Sequence, residues 1–296
     1  MTTQAVSASS SSATRTGARR RTLTTVLWHV GTLILLAIVL YPLVWLFGAS
    51  LRPSHDIVGN IGLFPTSPEF GNYQRALEGI AGVPVSRFFL NSLLLAVGSV
   101  IGTVISSALA AYAFARIRFT GRGVLFALMI STLLLPFHVL IIPQYIVFQR
   151  VGLVDTYVPL LLGKFLATEA FFVFLMVQFM RGLPRDLDEA AKIDGCGHAR
   201  IFWHVILPLA RPAIITTSIF AFIWSWNDFL GPLLYLQTPD NYTLPRALQL
   251  YIDQTSASDY GAMIAMSMLA LVPVILFFLA FQRFLVEGVS TSGLKG

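Results

Sequence analysis

The sequence from Arg181 to Pro208 reads RGLPRDLDEAAKIDGCGHARIFWHVILP and separates two long apolar runs, at about 157–180 and 211–235. The segment is rich in charge, although only 11% of the 296 residues are charged. A soluble domain carries about 25% charged residues. With 56% hydrophobic residues and a mean hydropathy of +0.75, the chain is expected to be an all-α, polytopic membrane protein, and this segment is the longest and most charged internal loop on its side of the membrane.

The helix start and stop signals in this loop predict a helix–turn–helix. Asp186 is a candidate N-cap with Glu189 three positions later, the arrangement of a capping box. Gly195 supplies the left-handed residue that commonly ends a helix. A second amphipathic stretch follows and is expected to stop at Pro208. The loop therefore predicts a hairpin of two short helices against the membrane surface.

The first of these helices is acidic, which favours a protein partner over lipid. It carries Asp186, Asp188 and Glu189, and Asp188 is placed to pair with Lys192 one turn later. Acidic residues are poor partners for an anionic inner leaflet. The small side chain of Ala190 and that of its neighbour Ala191 leave a bare surface on which another protein can sit closely.

Apolar runs long enough to cross a bilayer occur six times, since a transmembrane helix needs about 20 such residues. The windows are about 24–48, 88–112, 123–146, 157–180, 211–235 and 261–284. The expected organisation is a disordered basic tail over 1–22, a transmembrane domain over 23–285 that includes the loop 181–208, and a C-terminal tail over 286–296. Gly98, Gly102, Ser106 and Ala110 form a small-residue stripe on the second span, which indicates close packing within the bundle.

The distribution of basic residues predicts the orientation. Fourteen of the 20 Lys and Arg residues lie in the two tails and in the loops after spans 2 and 4, and five lie on the opposite side. By the positive-inside rule both termini are cytoplasmic. The positive-inside bias then accounts for the net charge of +6. Binding to nucleic acid is not indicated, because the sequence has no basic stripe interleaved with aromatic residues. The lone Cys196 excludes a disulfide framework and a thiolate zinc site.

Polar residues inside the spans are candidates for a route through the membrane. Lys164 and Glu169 fall in span 4, and Asn227 and Asp228 fall near the outer end of span 5. On a continuous helix, positions five apart point about 140° away from each other, so Lys164 and Glu169 are not expected to meet. Glu169 is either a hydrogen-bonded residue inside the bundle or a group that lines the route. His138 has no second ligand one turn away and is not expected to bind a metal.

Several motifs in order resemble a known family, the membrane-spanning subunits of bacterial ABC importers. Glu189-Ala190-Ala191 followed by Asp194-Gly195, and then Ile206-Leu207-Pro208, is similar to the EAA signature of that family. Further resemblances lie in Phe70–Tyr73, Arg87–Ser92, Trp226–Phe229, Val286–Gly288 and Gly293–Gly296. Together they are similar to the carbohydrate branch, specifically the six-span subunit of the maltose-permease type.

This resemblance implies a type I importer fold in the bacterial cytoplasmic membrane. Such a subunit pairs with a second, homologous permease, sits on two ATPase subunits and receives sugar from an external binding protein. On this analogy the coupling residues are Asp186, Glu189, Ala190, Ala191, Asp194 and Gly195. The loop at about 236–260 would face the binding protein, and the tail at 293–296 would reach toward the ATPase pair.

The chain has no ATP-binding motif of its own, because the P-loop pattern GxxxxGK[ST] does not occur in it. No cofactor is therefore expected on this chain, no catalytic residue is assigned, and ATP and Mg²⁺ would be bound by the partner ATPase. The alternative is a proton-coupled secondary transporter that uses Glu169 and Asp228 as a relay. No inverted repeat between spans 1–3 and 4–6 is evident to support that alternative.

Overall fold

A computed structural model describes the backbone of residues 11–59, 61–252 and 258–293. Its longer helices are α1 Ser11–Ser50, α4 Val85–Arg116, α5 Arg122–Thr132, α6 Phe137–Arg150, α8 Ala170–Gly182, α12 Arg211–Trp226 and α15 Tyr260–Gly293. Shorter helices are α2 Ser54–Ile57, α3 Gly71–Glu78, α7 Val158–Phe165, α9 Asp186–Ile193, α10 His198–Ile201, α11 Leu207–Leu209, α13 Leu230–Tyr235 and α14 Leu244–Leu248. A π-helical turn at Phe202–Ile206 and two 3₁₀ turns at Pro239–Asn241 and Gln249–Tyr251 complete the set, so the all-α prediction is confirmed.

Four helical spans in the described ranges are long and apolar enough to cross a bilayer: Thr24–Ser50, Val85–Arg116, Val158–Gly182 and Tyr260–Gln282. The third of these joins α7 and α8 across a short break. A fifth span is reached if His198–Leu209 and Arg211–Trp226, which are bent by 75°, count as one. The predicted third span is divided between α5 and α6 at Pro136, because proline lacks the N–H that a continuing helix needs. The helix lengths in the described ranges therefore give four or five spans, and six unbroken spans are not confirmed.

The two predicted tails differ in how much of them the structure covers. The first ten residues lie outside the described part, and residues 11–22 continue helix α1. Helix α15 runs on to Gly293, past the predicted start of the C-terminal tail at 286. Residues 294–296, the last part of the expected ATPase-facing tail, lie outside the described ranges.

Helix α4 is the central element, and one apolar core forms at each of its ends. Near Val85, Phe88 packs with Trp226, Phe222 and Met266. Near Arg116 the second core forms from α4, α8 and the polar hairpin, with the buried side chains of Ala108, Ala111, Met176, Met180, Ile201, Phe202 and Ile206. The hairpin is thus built on the same helix that holds the opposite end of the bundle together.

The small-residue stripe of α4 receives helix α7, as the sequence predicts for packing within the bundle. A Cβ added at Gly98 would lie 3.1 Å from the Leu161 side chain, and one added at Gly102 would lie 2.7 Å from Phe165. Ser106 Oγ donates a hydrogen bond to the Lys164 carbonyl at 2.7 Å. Glycine at these positions lets the two backbones approach closely.

Candidate functional site

The polar segment folds as the predicted hairpin, and its turn is a Schellman motif. Gly195 adopts φ +80°, and its N–H donates to the Lys192 carbonyl at 3.0 Å. The Cys196 N–H donates to the Ala191 carbonyl at 2.9 Å, which closes the outer hydrogen bond of the motif. The left-handed turn predicted for Gly195 is confirmed.

The capping box predicted at the start of α9 is wrong. The N-cap residue is Arg185, and no side chain caps this helix end. Asp186 is instead the first helical residue, and the Arg185 carbonyl accepts the N–H groups of Asp188 and Glu189 at 2.9 and 3.2 Å. The acidic residues still suit this position, because negative charge is stabilised near the positive end of the helix dipole.

The second helix of the hairpin continues past its predicted stop. α10 passes through the π-helical turn into α11, which ends at Leu209 rather than at Pro208. Pro208 lies in the first turn of α11, where its missing N–H is tolerated. Ile201 and Ile206 are buried along this stretch, so its predicted apolar face does pack against the bundle.

The first helix of the hairpin, α9, presents an acidic face, and the hairpin also exposes the apolar side chains of Leu187, Ile193, Trp203 and Leu209. Five of the six predicted coupling residues are exposed: Asp186, Glu189, Ala190, Asp194 and Gly195. Ala191 is half-buried against the core, so only one of the two alanines faces outward. Ile193 is 86% exposed and stands among these acidic residues. Sequence reasoning missed Ile193, although an isolated apolar residue just before the glycine of an acidic helix was a visible signal.

Arg116 holds the hairpin to the bundle, and sequence reasoning missed it as well. Its Nη1 donates to Asp188 Oδ2 at 2.8 Å, and its Nη2 donates to the carbonyls of Met180 and Leu183 at 2.6 and 2.9 Å. The Arg116 and Asp188 side chains are only 3% and 13% exposed. Asp188 therefore pairs with Arg116. The i,i+4 spacing had predicted a pair with Lys192, and that prediction is wrong.

A second contact joins α4 to the other half of the hairpin. The Tyr112 hydroxyl lies 3.1 Å from the carbonyl oxygen of His198 and 3.3 Å from its Nδ1. The Tyr112 ring also packs against Phe202, with centroids 5.1 Å apart. The last turns of α4 thus contact both helices of the hairpin.

Lys164 and Glu169 form an ion pair, contrary to the prediction that they point apart. The prediction assumed a continuous helix, but α7 ends at Phe165 and α8 begins at Ala170. Within the break Ala167 adopts φ +55°, a conformation that non-glycine residues rarely take. The helix is interrupted there, and this brings the ammonium of Lys164 onto the carboxylate of Glu169.

The ion pair opens onto a cavity of about 430 Å³ inside the bundle. Its walls come from α4, α7, the break before α8, α12, α13 and the residues between α12 and α13. The lining side chains are Leu95, Ser99, Leu160, Lys164, Glu169, Trp224, Ser225, Asp228 and Pro232. Asp228 Oδ1 also accepts a hydrogen bond from the Gly231 N–H at 3.2 Å. Two of the three predicted pathway residues, Glu169 and Asp228, therefore share one cavity.

The third pathway candidate, Asn227, is not among the side chains that line this cavity. Its Nδ2 donates back to the Ile223 carbonyl at 2.8 Å, which satisfies it within its own helix. The described residues contain no cluster of three His, Cys, Asp or Glu side chains that could hold a metal ion.

Comparison with known proteins places the chain in a family. Residues 102–291 match the model of the binding-protein-dependent transport system inner membrane component. The diacetylchitobiose uptake system permease protein NgcG of Streptomyces coelicolor is 33% identical over 266 residues, which cover 90% of this chain and 85% of that protein. The chain belongs to this family. The galactooligosaccharides transport system permease protein GanQ of Bacillus subtilis is 30% identical and covers 88% of the chain and 91% of its own length.

The fold of this binding-protein-dependent transport component also matches a solved structure. A crystal structure of a bacterial ABC transporter involved in the import of the acidic polysaccharide alginate aligns with a TM-score of 0.76. The alignment covers 90% of this chain and 97% of that chain at 24% identity. The likeness supports the importer permease fold that the motifs predicted.

At the end of this transport component opposite the hairpin, Asp155 organises the segment 237–241. Its Oδ1 accepts the backbone N–H groups of Gln237 and Thr238 at 2.8 and 3.0 Å, and its Oδ2 accepts the Thr238 hydroxyl. The Asn241 amide donates to the Asp155 carbonyl at 3.1 Å. Burial alone would raise the pKa of Asp155, but these hydrogen bonds outweigh it and lower the pKa to about 2. Part of the loop predicted to face a binding protein is thereby fixed in shape.

Proposed function

We propose that this chain is one permease subunit of an ATP-driven importer that takes up an oligosaccharide or a related carbohydrate. The observation that carries the proposal is the exposed acidic helix α9, which has the exposed Ile193 at its C-terminal end and is held to α4 by the Arg116–Asp188 ion pair. A surface of this kind fits a protein groove better than a lipid surface. The names of the sugar-transport relatives supply the substrate class.

The topology we propose has six membrane crossings with both termini in the cytoplasm of a bacterial cell. The third crossing runs through α5 and α6, and the fifth through α12 and α13. Such broken helices are tolerated in membrane proteins where the interrupted backbone is buried in protein or lines a cavity. The excess of Lys and Arg on the hairpin side supports this orientation.

In this proposal the hairpin seats in a groove of a partner ATPase. The exposed groups would contribute in different ways: Glu189 and Asp194 as charged contacts, Ala190 as the point of closest approach, and Ile193 as an apolar anchor. Burying an isoleucine side chain contributes about 1.5–3 kcal/mol, which is on the order of a tenfold to hundredfold gain in affinity. ATP and Mg²⁺ would be bound by that partner rather than by this chain.

The cavity would be part of the sugar route. Ser99 and Ser225 offer hydroxyls, Glu169 and Asp228 offer carboxylates, and the Trp224 ring supplies an aromatic wall. A concave site with a few convergent polar groups suits a small polar solute. The external binding protein would deliver the sugar to the opposite end, where Asp155 fixes the segment 237–241, and a second permease would complete the pathway.

Reconstitution into liposomes tests the proposal against the proton-coupled alternative. Uptake of radiolabelled diacetylchitobiose, galactooligosaccharides and arabinooligosaccharides is measured for this chain with a second permease, with and without an ATPase, ATP and an external binding protein. We expect uptake of at least one of these sugars only when all components and ATP are present. Uptake by the purified chain alone under a proton gradient would contradict the proposal.

A further inference from the structure

We infer that Arg116 transmits movement of the hairpin to helix α4 and, through α4, to the wall of the cavity. The inference rests on the proposed function, because it assumes that an ATPase moves the hairpin. It concerns a residue outside the predicted coupling set. Arg116 does not face the partner surface, since its side chain is only 3% exposed.

The contacts of Arg116 join three elements at a single guanidinium. One nitrogen bonds Asp188 on α9, and another bonds the carbonyls of Met180 and Leu183 at the end of α8. Those carbonyls lie at the C-terminal end of α8, where helix carbonyls lack their usual donors and Met180 accepts only a long bond from the Leu183 N–H at 3.3 Å. A planar guanidinium can serve all three acceptors at once, whereas a lysine ammonium is a point donor on a flexible stem.

Helix α4 connects the Arg116 clamp, which is Arg116 with its acceptors on Asp188, Met180 and Leu183, to the cavity. Ser99 of the cavity wall lies 17 residues before Arg116 on the same continuous helix, a distance of about 25 Å along its axis. Gly98 and Gly102 hold the same helix against α7, which carries Lys164. A displacement of the hairpin that Arg116 passes to α4 must therefore shift one wall of the cavity and the helix packed against it.

The test measures whether nucleotide on the ATPase changes the cavity. The full complex is prepared with a Cys196→Ser background, so that a Ser225→Cys substitution provides the only thiol in this chain and places it in the cavity wall. The maleimide labelling rate of that thiol, located by mass spectrometry, is compared in nucleotide-free and ATP–vanadate-trapped complexes. No sugar is needed, so the readout does not depend on knowing the substrate.

We expect the two labelling rates to differ severalfold in the parent complex and to become equal with Arg116→Gln, while the ATPase still co-purifies. Arg116→Lys should retain part of the difference, and Arg118→Gln, an exposed arginine two positions later, should retain all of it. A purely structural role would lower the yield of complex but leave the ratio of rates unchanged. An undiminished ratio with Arg116→Gln would overturn the inference.

Asp188→Asn covers the case in which Arg116→Gln does not assemble. It removes the ion pair and leaves the two carbonyl bonds of Arg116 in place, and it should reduce the nucleotide-dependent difference. A full difference with Asp188→Asn, or equal rates in the parent complex, would also overturn the inference. Failure of the parent chain to co-purify with any ATPase would instead contradict the proposed function, so the two failures are distinguishable.

Discussion

Lys164 and Glu169 form an ion pair across the break between α7 and α8. Their side chains are 29% and 27% exposed, so the pair is partly shielded from solvent. The pair neutralises two charges beside a cavity that also contains the carboxylate of Asp228. It also fixes the geometry of a four-residue interruption in a helix of the bundle.

Removing one partner of this pair should cost more stability than removing both. Lys164→Met leaves the Glu169 carboxylate without its counter-charge, and we expect a loss of about 1–3 kcal/mol, between the values typical of exposed and buried pairs. The double variant with Glu169→Gln should recover part of that loss. Thermal unfolding of the detergent-solubilised protein measures the midpoints, and the exposed Lys192→Met is the matched control. Additive effects of the two substitutions would show that the pair contributes nothing.

Gly102→Ala should destabilise the bundle, because the new Cβ would lie 2.7 Å from the Phe165 ring. Overpacking of this kind costs about 1–3 kcal/mol and would push α7 away from α4. Gly123→Ala is the control, since its Cβ would meet no atom within 4 Å and alanine favours a helix. The thermal midpoint should fall for Gly102→Ala and stay constant or rise for Gly123→Ala. An equal response of the two glycines would contradict the packing described for α4 and α7.

Asp155→Asn should lower stability in a pH-dependent way. Because the folded-state pKa of Asp155 is about 2 and its ordinary value is 3.8, the ionised carboxylate contributes its full stabilisation above about pH 4 and loses it as pH falls through about 2. The difference in thermal midpoint between the native chain and Asp155→Asn should therefore be largest near about pH 6 and shrink below about pH 3.

Asp240→Asn serves as the control for that series, because it alters an exposed carboxylate on the same segment. It should not reproduce the acid-dependent difference seen with Asp155→Asn. A difference between the native chain and Asp155→Asn that stays constant from about pH 6 to about pH 2 would mean that the carboxylate does not hold the segment 237–241.

The hairpin was predictable because its signals are local. Gly195 ends a helix through its own backbone freedom, and the acidic first turn of α9 and the apolar face that contains Ile201 follow from residues a few positions apart. The details that failed were the cap at Asp186, the pairing of Asp188 with Lys192 and the stop at Pro208. The free N–H groups at the start of a helix can be satisfied in several ways. The one adopted depends on the path of the chain through Leu183 and Pro184, just before α9.

The ion pair and the clamp were not predictable, for two different reasons. The break between α7 and α8 contains neither proline nor glycine, so nothing in Leu166–Glu169 signals the positive φ of Ala167. Arg116 was visible only as a basic residue after an apolar run. Its partner Asp188 lies 72 positions away, and its other acceptors are backbone carbonyls of α8 and the residue after it, so only the fold could reveal them.

Co-purification shows whether the hairpin is the surface on which an ATPase sits. The complex is captured from membranes through this chain, and the retained ATPase is quantified for the native chain and for Ile193→Asp. The control is Ile252→Asp, which changes an exposed isoleucine remote from the hairpin. We predict that Ile193→Asp reduces retained ATPase by at least about tenfold and that Ile252→Asp does not. Undiminished ATPase on the Ile193→Asp complex, or equal losses with both variants, would contradict the account.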